Sequence, residues 1–142
     1  ARDFTAAESV IAMPRILIVD DNPAVRCCAA LALSNRGYTV TLAGDGRQAL
    51  ERLRREAVDL VLTDLVMPEY EGIELIIAVH AEFPCLPVIA MSGARDRAAY
   101  LRSAVHLGAT RTIQKPFDVA TLISAVEQAL GPRVAALAAN LH

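Results

Sequence analysis

At 142 residues, with 54% hydrophobic and 21% charged residues, the chain suits one globular domain with a sizeable core. A formal net charge of -2 and the lack of a Lys/Arg-rich block exclude an electrostatic footprint for direct nucleic-acid binding or for an anionic membrane surface. No apolar run is long enough to span a bilayer and no basic start precedes a long apolar core, so a cytoplasmic location without a membrane partner is expected.

Residues 1–13 show no clear period, and Met13 before Pro14-Arg15-Ile16 resembles a natural start. We therefore read 1–13 as an N-terminal extension or tag and 14–131 as the folded domain. Apolar runs at 16–19, 38–42, 60–63, 88–91 and 110–113 predict five strands. Amphipathic segments alternate with them, which predicts an α/β fold with a parallel sheet covered on both faces. The first, third and fourth runs are almost wholly apolar and suit interior strands. The second alternates and the fifth is half polar, so they suit edges. The result is a three-layer, flavodoxin-like (βα)5 fold with strand order 2-1-3-4-5.

The helices carry their own signals. Asn22 can cap the first, Pro23 suits its first turn, and Val25, Cys28, Ala29, Ala32 and Leu33 form a helical stripe that ends by Gly37. The stretch 73–81 is apolar around most of its circumference, which leaves its buried face unassigned. A helix around Leu101, Ala104 and Val105 ends at Gly108. The last helix carries the stripe Val119, Leu122, Ile123, Val126 and Leu130 and stops at Gly131-Pro132. Residues 132–142 read as a C-terminal tail or the start of a linker, too short to bury a core. Cys27, Cys28 and Cys85 are odd in number and lack a CxxC spacing, so they are expected to be reduced, small packing residues. His80 and His106 receive no role, and Gly44 and Gly46 fit a turn better than either phosphate-loop spacing.

The chemistry sits at the strand ends. Asp20 and Asp21 follow the first strand and Asp64 the third, while Ser92 and Lys115 close the fourth and fifth. In open parallel sheets the ligand crevice lies at those carboxyl ends. Three acids, a hydroxyl and an ammonium suit phosphoryl transfer with a hard divalent cation, which oxygen ligands hold and which neutralises phosphoryl oxygens.

Residues 16–21, the segment Asp64-Leu-Val-Met-Pro-Glu-Tyr-Glu-Gly72, the 88–93 strand with its serine, and Lys115-Pro116-Phe117 together resemble the response-regulator receiver domain of two-component signalling, over about residues 14–130. The resemblance implies that Asp64 accepts a phosphoryl group from a sensor histidine kinase or a histidine phosphotransfer protein. It implies that Asp20, Asp21, the Asp64 carboxylate and the backbone carbonyl of Val66 hold Mg²⁺. Ser92 would bond a phosphoryl oxygen, and Lys115 would pair with Asp64 or with the phosphoryl group. The Lys115-Pro116 bond is expected to be cis, as is usual in the family.

The chain would then be a phosphorylation switch rather than an enzyme acting on a separate substrate. It would be stand-alone or excised, and its downstream output is not named by the sequence. Family analogy offers the last two helices with the fifth strand as the contact surface, for a partner or a homodimer. Thr112 stands where the family often has an aromatic residue, so activation is expected to travel through residues 92–97 or the first helix. Apolar Val66 and Ala94 leave fewer groups to orient water and predict a long-lived acyl phosphate. Two other readings are a phosphorylation-independent interaction module and a Mg²⁺-dependent hydrolase with an aspartyl nucleophile. The missing second acid at position 66 disfavours the latter.

Overall fold

Short strands and amphipathic helices alternate strictly along the chain. They run β1 (Arg15–Val19), α1 (Pro23–Asn35), β2 (Thr39–Ala43), α2 (Gly46–Arg55), β3 (Leu60–Asp64), α3 (Gly72–Glu82), β4 (Val88–Ser92), α4 (Ala98–Leu107), β5 (Arg111–Gln114) and α5 (Val119–Leu130). The structure, a computed structural model, describes residues 13–65, 72–93 and 98–131. All neighbouring strands pair in parallel, in the order β2-β1-β3-β4-β5. The fold class, the strand order and the edge positions of β2 and β5 are those the sequence predicts.

The pleat sends alternate side chains to opposite faces and so makes two cores. Leu17, Val19, Val61, Val88 and Ala90 pack beneath α2, α3 and α4, while Ile16, Ile18, Leu60, Leu62, Ile89 and Met91 pack beneath α1 and α5. Leu17, Ile18, Leu60, Leu62 and Ile89 are wholly buried, and each such side chain contributes roughly 1.5–3 kcal/mol of burial free energy. The interior strands therefore anchor the domain and leave their polar ends free for chemistry.

Helix starts follow the capping rules. The Asn22 side chain accepts from the N–H groups of Ala24 and Val25, with Pro23 in the first turn, and Asp45 and Asp118 cap α2 and α5 through Gln48 N–H and Thr121 N–H. Gly37, Gly108 and Gly131 adopt positive φ after α1, α4 and α5, a conformation that glycine enters without steric cost. On edge strand β2, Thr41 is buried because its hydroxyl is satisfied, accepting from Arg15 Nη1 at 3.0 Å and donating to Glu56 Oε1 at 3.2 Å.

Two packing expectations need correction, and one open question is settled by packing. Cys27, Cys28 and Cys85 are free, but all three are exposed. In α1 the buried line runs through Ala29 and Leu33, and Cys28 is rotated off that line onto the flank. Val119 is 58% exposed, because the first turn of α5 precedes the stretch Leu122 to Val126 that meets the sheet. For α3, packing selects Leu75, Ile76 and Val79 as the buried face and leaves Ile77 47% exposed. Of the 1–13 extension, residues 1–12 lie outside the described residues, as does the tail 132–142.

Candidate functional site

Strand register assembles the site. Val19 pairs with Thr63, so the residues that follow them, Asp20 and Asp64, stand level at the carboxyl edge. Asp64 pairs with Met91 and Ser92 pairs with Gln114, which brings Ser92 and Lys115 to the same edge. Backbone bonds lock these ends together, from Leu65 N–H to Met91 O at 2.9 Å and from Lys115 N–H to Ser92 O at 2.7 Å. The peptide bond between Lys115 and Pro116 is cis, as expected.

Asp20, Asp21 and Asp64 each offer a carboxylate oxygen within 4.8 Å of the others. Asp20 is fully buried, Asp64 is 8% exposed and Asp21 faces solvent. Asp20 Oδ1 accepts from Asn22 N–H at 2.9 Å, and Asp20 Oδ2 accepts from Lys115 Nζ at 2.8 Å. The same ammonium lies 3.3 Å from Asp64 Oδ2, while Asp64 Oδ1 accepts from Leu65 N–H at 2.9 Å. Lys115 thus bridges both buried acids and sits nearer to Asp20.

Among the described residues three carboxylates share one nearby ammonium, and the electrostatics reflect that imbalance. Burial, then the charge of Asp20, push the Asp64 carboxyl up to about 6, against the opposing pull of Lys115 and Leu65 N–H. Burial alone would lower the Lys115 ammonium, but its bond to Asp20 and the charges of Asp64 and Asp20 outweigh this and raise it. The lysine is therefore a fixed cation. Oxygen-only donors with surplus negative charge fit a hard divalent ion such as Mg²⁺.

Ser92 is buried, and its hydroxyl reaches Ile113 O at 3.5 Å, the limit of a hydrogen bond. That hydroxyl can turn to another acceptor at little cost. The Val66 carbonyl and residues 94–97 lie outside the described residues.

Two residues to which the sequence reading assigns no role touch this site. A Cβ on Gly72 would stand 2.0 Å from Asp64 O and 2.8 Å from Leu65 Cα, so only glycine lets α3 start against the acid-bearing strand end. Its position eight residues after Asp64 was visible as part of the motif, but the close approach was not. Arg26 donates through Nη1 to the backbone carbonyl of Asp20 at 2.5 Å. The signal was available, since helical side chains lean toward the N-terminus and an arginine in the second turn reaches back over the loop.

Comparison with known proteins places this geometry in a family. Residues 16–127 match the response regulator receiver domain, and the chain belongs to that family. It is 36% identical over 110 residues to the response regulator MprA of Mycolicibacterium vanbaalenii, covering 78% of this chain and 47% of MprA. It is 34% identical over 115 residues to the DNA-binding transcriptional regulator NtrC of Escherichia coli K12, covering 81% of this chain and 24% of NtrC. The chain thus spans about half or less of the length of these relatives.

Among solved structures, a CheY-like receiver domain protein from Methanospirillum hungatei superposes with a TM-score of 0.79 at 29% identity, covering 83% of this chain and 94% of that one. The receiver domain of NtrX from Brucella abortus gives 0.78 at 33% identity, over 81% and 97% of the two chains. Receiver domains are signalling domains of two-component systems.

Proposed function

We propose that residues 14–131 act as a Mg²⁺-dependent phosphorylation switch whose phosphoacceptor is Asp64. The observation that carries this reading is the convergence of Asp20, Asp21 and Asp64 at one sheet edge, with Lys115 bridging the two buried acids. An Asp64 carboxylate oxygen forms a new O–P bond while the N–P bond of a phosphohistidine donor breaks, and the departing imidazole takes up a proton. Asp20, Asp21, the Asp64 carboxylate and the Val66 carbonyl would hold Mg²⁺, which when bound would supply charge to offset repulsion between the carboxylates and the incoming phosphoryl oxygens. Lys115 already neutralises part of that repulsion from its 2.8 Å and 3.3 Å contacts. Ser92 receives a phosphoryl oxygen through its weakly engaged hydroxyl.

The donor is a sensor histidine kinase or a phosphotransfer protein in the cytoplasm. A groove of about 460 Å³ lined by Ala24, Val25, Cys28, Pro116 and Phe117 borders Lys115 and supports docking of the donor there. A second groove of about 660 Å³ between α4, β5 and α5, with Thr112 and exposed Val105 on its wall, supports that face as the surface for an output partner or a second copy.

Incubation with acetyl phosphate and Mg²⁺, followed by intact-mass measurement, tests the assignment. The wild type is expected to gain one phosphoryl group, and Asp64→Asn to gain none. Labelling that persists in Asp64→Asn rejects this acceptor. Turnover of simple phosphate esters would favour the hydrolase reading, and no labelling at all would favour the interaction module.

A further inference from the structure

We infer that Arg26 is a positioning residue for the cation site, acting through the peptide that joins Asp20 to Asp21. This rests on the reading of the acid trio as a Mg²⁺ site. Arg26 stands in the second turn of α1, half-buried, and its guanidinium runs back toward the helix start to donate to Asp20 O at 2.5 Å. Among the described residues no backbone N–H of the loop reaches that carbonyl.

The other groups of Asp20 are already engaged. Its N–H donates to Ala43 O at 3.2 Å, and its two carboxylate oxygens accept from Asn22 N–H and Lys115 Nζ. Asp20 is therefore fixed without Arg26, whereas Asp21 is not. The Asp21 carboxylate is exposed, and among the described residues no hydrogen bond or ion pair holds it. Its aim depends on the plane of the peptide before it. That is the plane Arg26 clamps.

The guanidinium lies beside the β2–α2 turn. Arg26 Nη1 lies 3.7 Å from where a Cβ on Gly44 would stand, and Gly44 N–H is held by Gln48 Oε1 at 2.9 Å. Arg26 thus links α1 to the β1–α1 loop through one hydrogen bond and lies next to the β2–α2 turn.

Charge and position predict opposite signs. A guanidinium close to the acids repels a second cation, so a purely electrostatic role means that removing Arg26 tightens metal binding. A positioning role means that removal weakens it, because outer partners that orient metal ligands typically contribute about tenfold or more to affinity.

The test uses metal-free full chain and Mn²⁺ as the probe, followed by isothermal titration and by electron paramagnetic resonance of the free ion. Arg26→Ala is expected to weaken Mn²⁺ binding about tenfold, and Arg26→Lys, which keeps a donor, to recover part of the loss. In an Asp21→Asn background Arg26→Ala should add less than about twofold, since the carboxylate it aims is gone. If a thermal melt shows Arg26→Ala unfolded, Arg26→Gln replaces it with the same expected direction.

Affinity that is unchanged or tighter in the neutral variants, or a full additional loss in the Asp21→Asn background, overturns the role of Arg26 alone. A wild type that binds no Mn²⁺ overturns the site reading and this inference with it.

Discussion

Replacing Asp64 by asparagine should stabilise the metal-free domain, although it destroys the proposed phosphoacceptor. The carboxyl titrates near 6 in the folded protein against 3.8 when free, chiefly because it is buried and next because Asp20 is close. A shift of roughly two units at about 1.4 kcal/mol per unit corresponds to about 3 kcal/mol. The sign follows from proton linkage. Between pH 4 and 6 the folded state holds the proton that the unfolded state has lost, so stability falls as pH rises through that window and stays low above it.

Asparagine removes the charge, but it leaves Lys115 with one acid fewer and brings an amide whose N–H groups need partners, so the net gain expected at pH 8 is about 1–2 kcal/mol. Urea unfolding in EDTA at pH 8 and at pH 4, followed by circular dichroism, measures it. The advantage of the variant should be full at pH 8 and shrink at pH 4. Adding Mg²⁺ at pH 8 should narrow the gap by stabilising the wild type preferentially. A variant less stable than wild type at pH 8 in EDTA, or an advantage independent of pH, refutes the reasoning.

Lys115→Ala should act in the opposite direction, lowering metal-free stability by about 3 kcal/mol because wholly buried Asp20 loses its counter-charge; Mg²⁺ should restore part of this in the same urea assay. Gly72→Ala should cost about 3 kcal/mol or more, since its Cβ would meet backbone of Asp64 and Leu65 on a strand that cannot move aside; thermal denaturation reads this directly. Ser92→Ala should change stability by less than about 0.5 kcal/mol because its 3.5 Å contact is weak. The same variant should slow labelling by acetyl phosphate by about tenfold or more, measured by intact mass, because it removes a donor to the transferring group.

The strand ends were legible because parallel strands finish along one edge, so an acid after an apolar run can be placed without knowing any side-chain packing. Asp20, Asp64, Ser92 and Lys115 were found in this way, and register does place them together. What sequence pattern could not resolve was rotation about helix axes. Cys28 and Ala29 are adjacent and both small, and only contact with the sheet decides that Ala29 turns inward while Cys28 stays exposed. Helix α3 is apolar on nearly every side, so its buried face was set by the space between β3, β4 and its neighbours. Arg26 escaped notice for a different reason. Its partner is a backbone carbonyl, which has no letter in the sequence.

On the proposed reading of Asp64 as phosphoacceptor, the same edge offers a route by which its modification would be felt elsewhere without an aromatic residue at position 112. Ser92 is tied to the residue that follows β5, by its carbonyl to Lys115 N–H at 2.7 Å, and to β5 itself, by its hydroxyl to Ile113 O at 3.5 Å. The first bond is strong and the second is marginal, so drawing the hydroxyl toward a new acceptor breaks little while the strand connection persists. Strand β5 is short and an edge, with no partner strand beyond it among the described residues. Unlike the interior strands, it is restrained by strand pairing on one side only. Its exposed Thr112 stands on the wall of the α4–β5–α5 groove, so on this reading a displacement of β5 would alter that groove directly, with no side chain having to swing through the core.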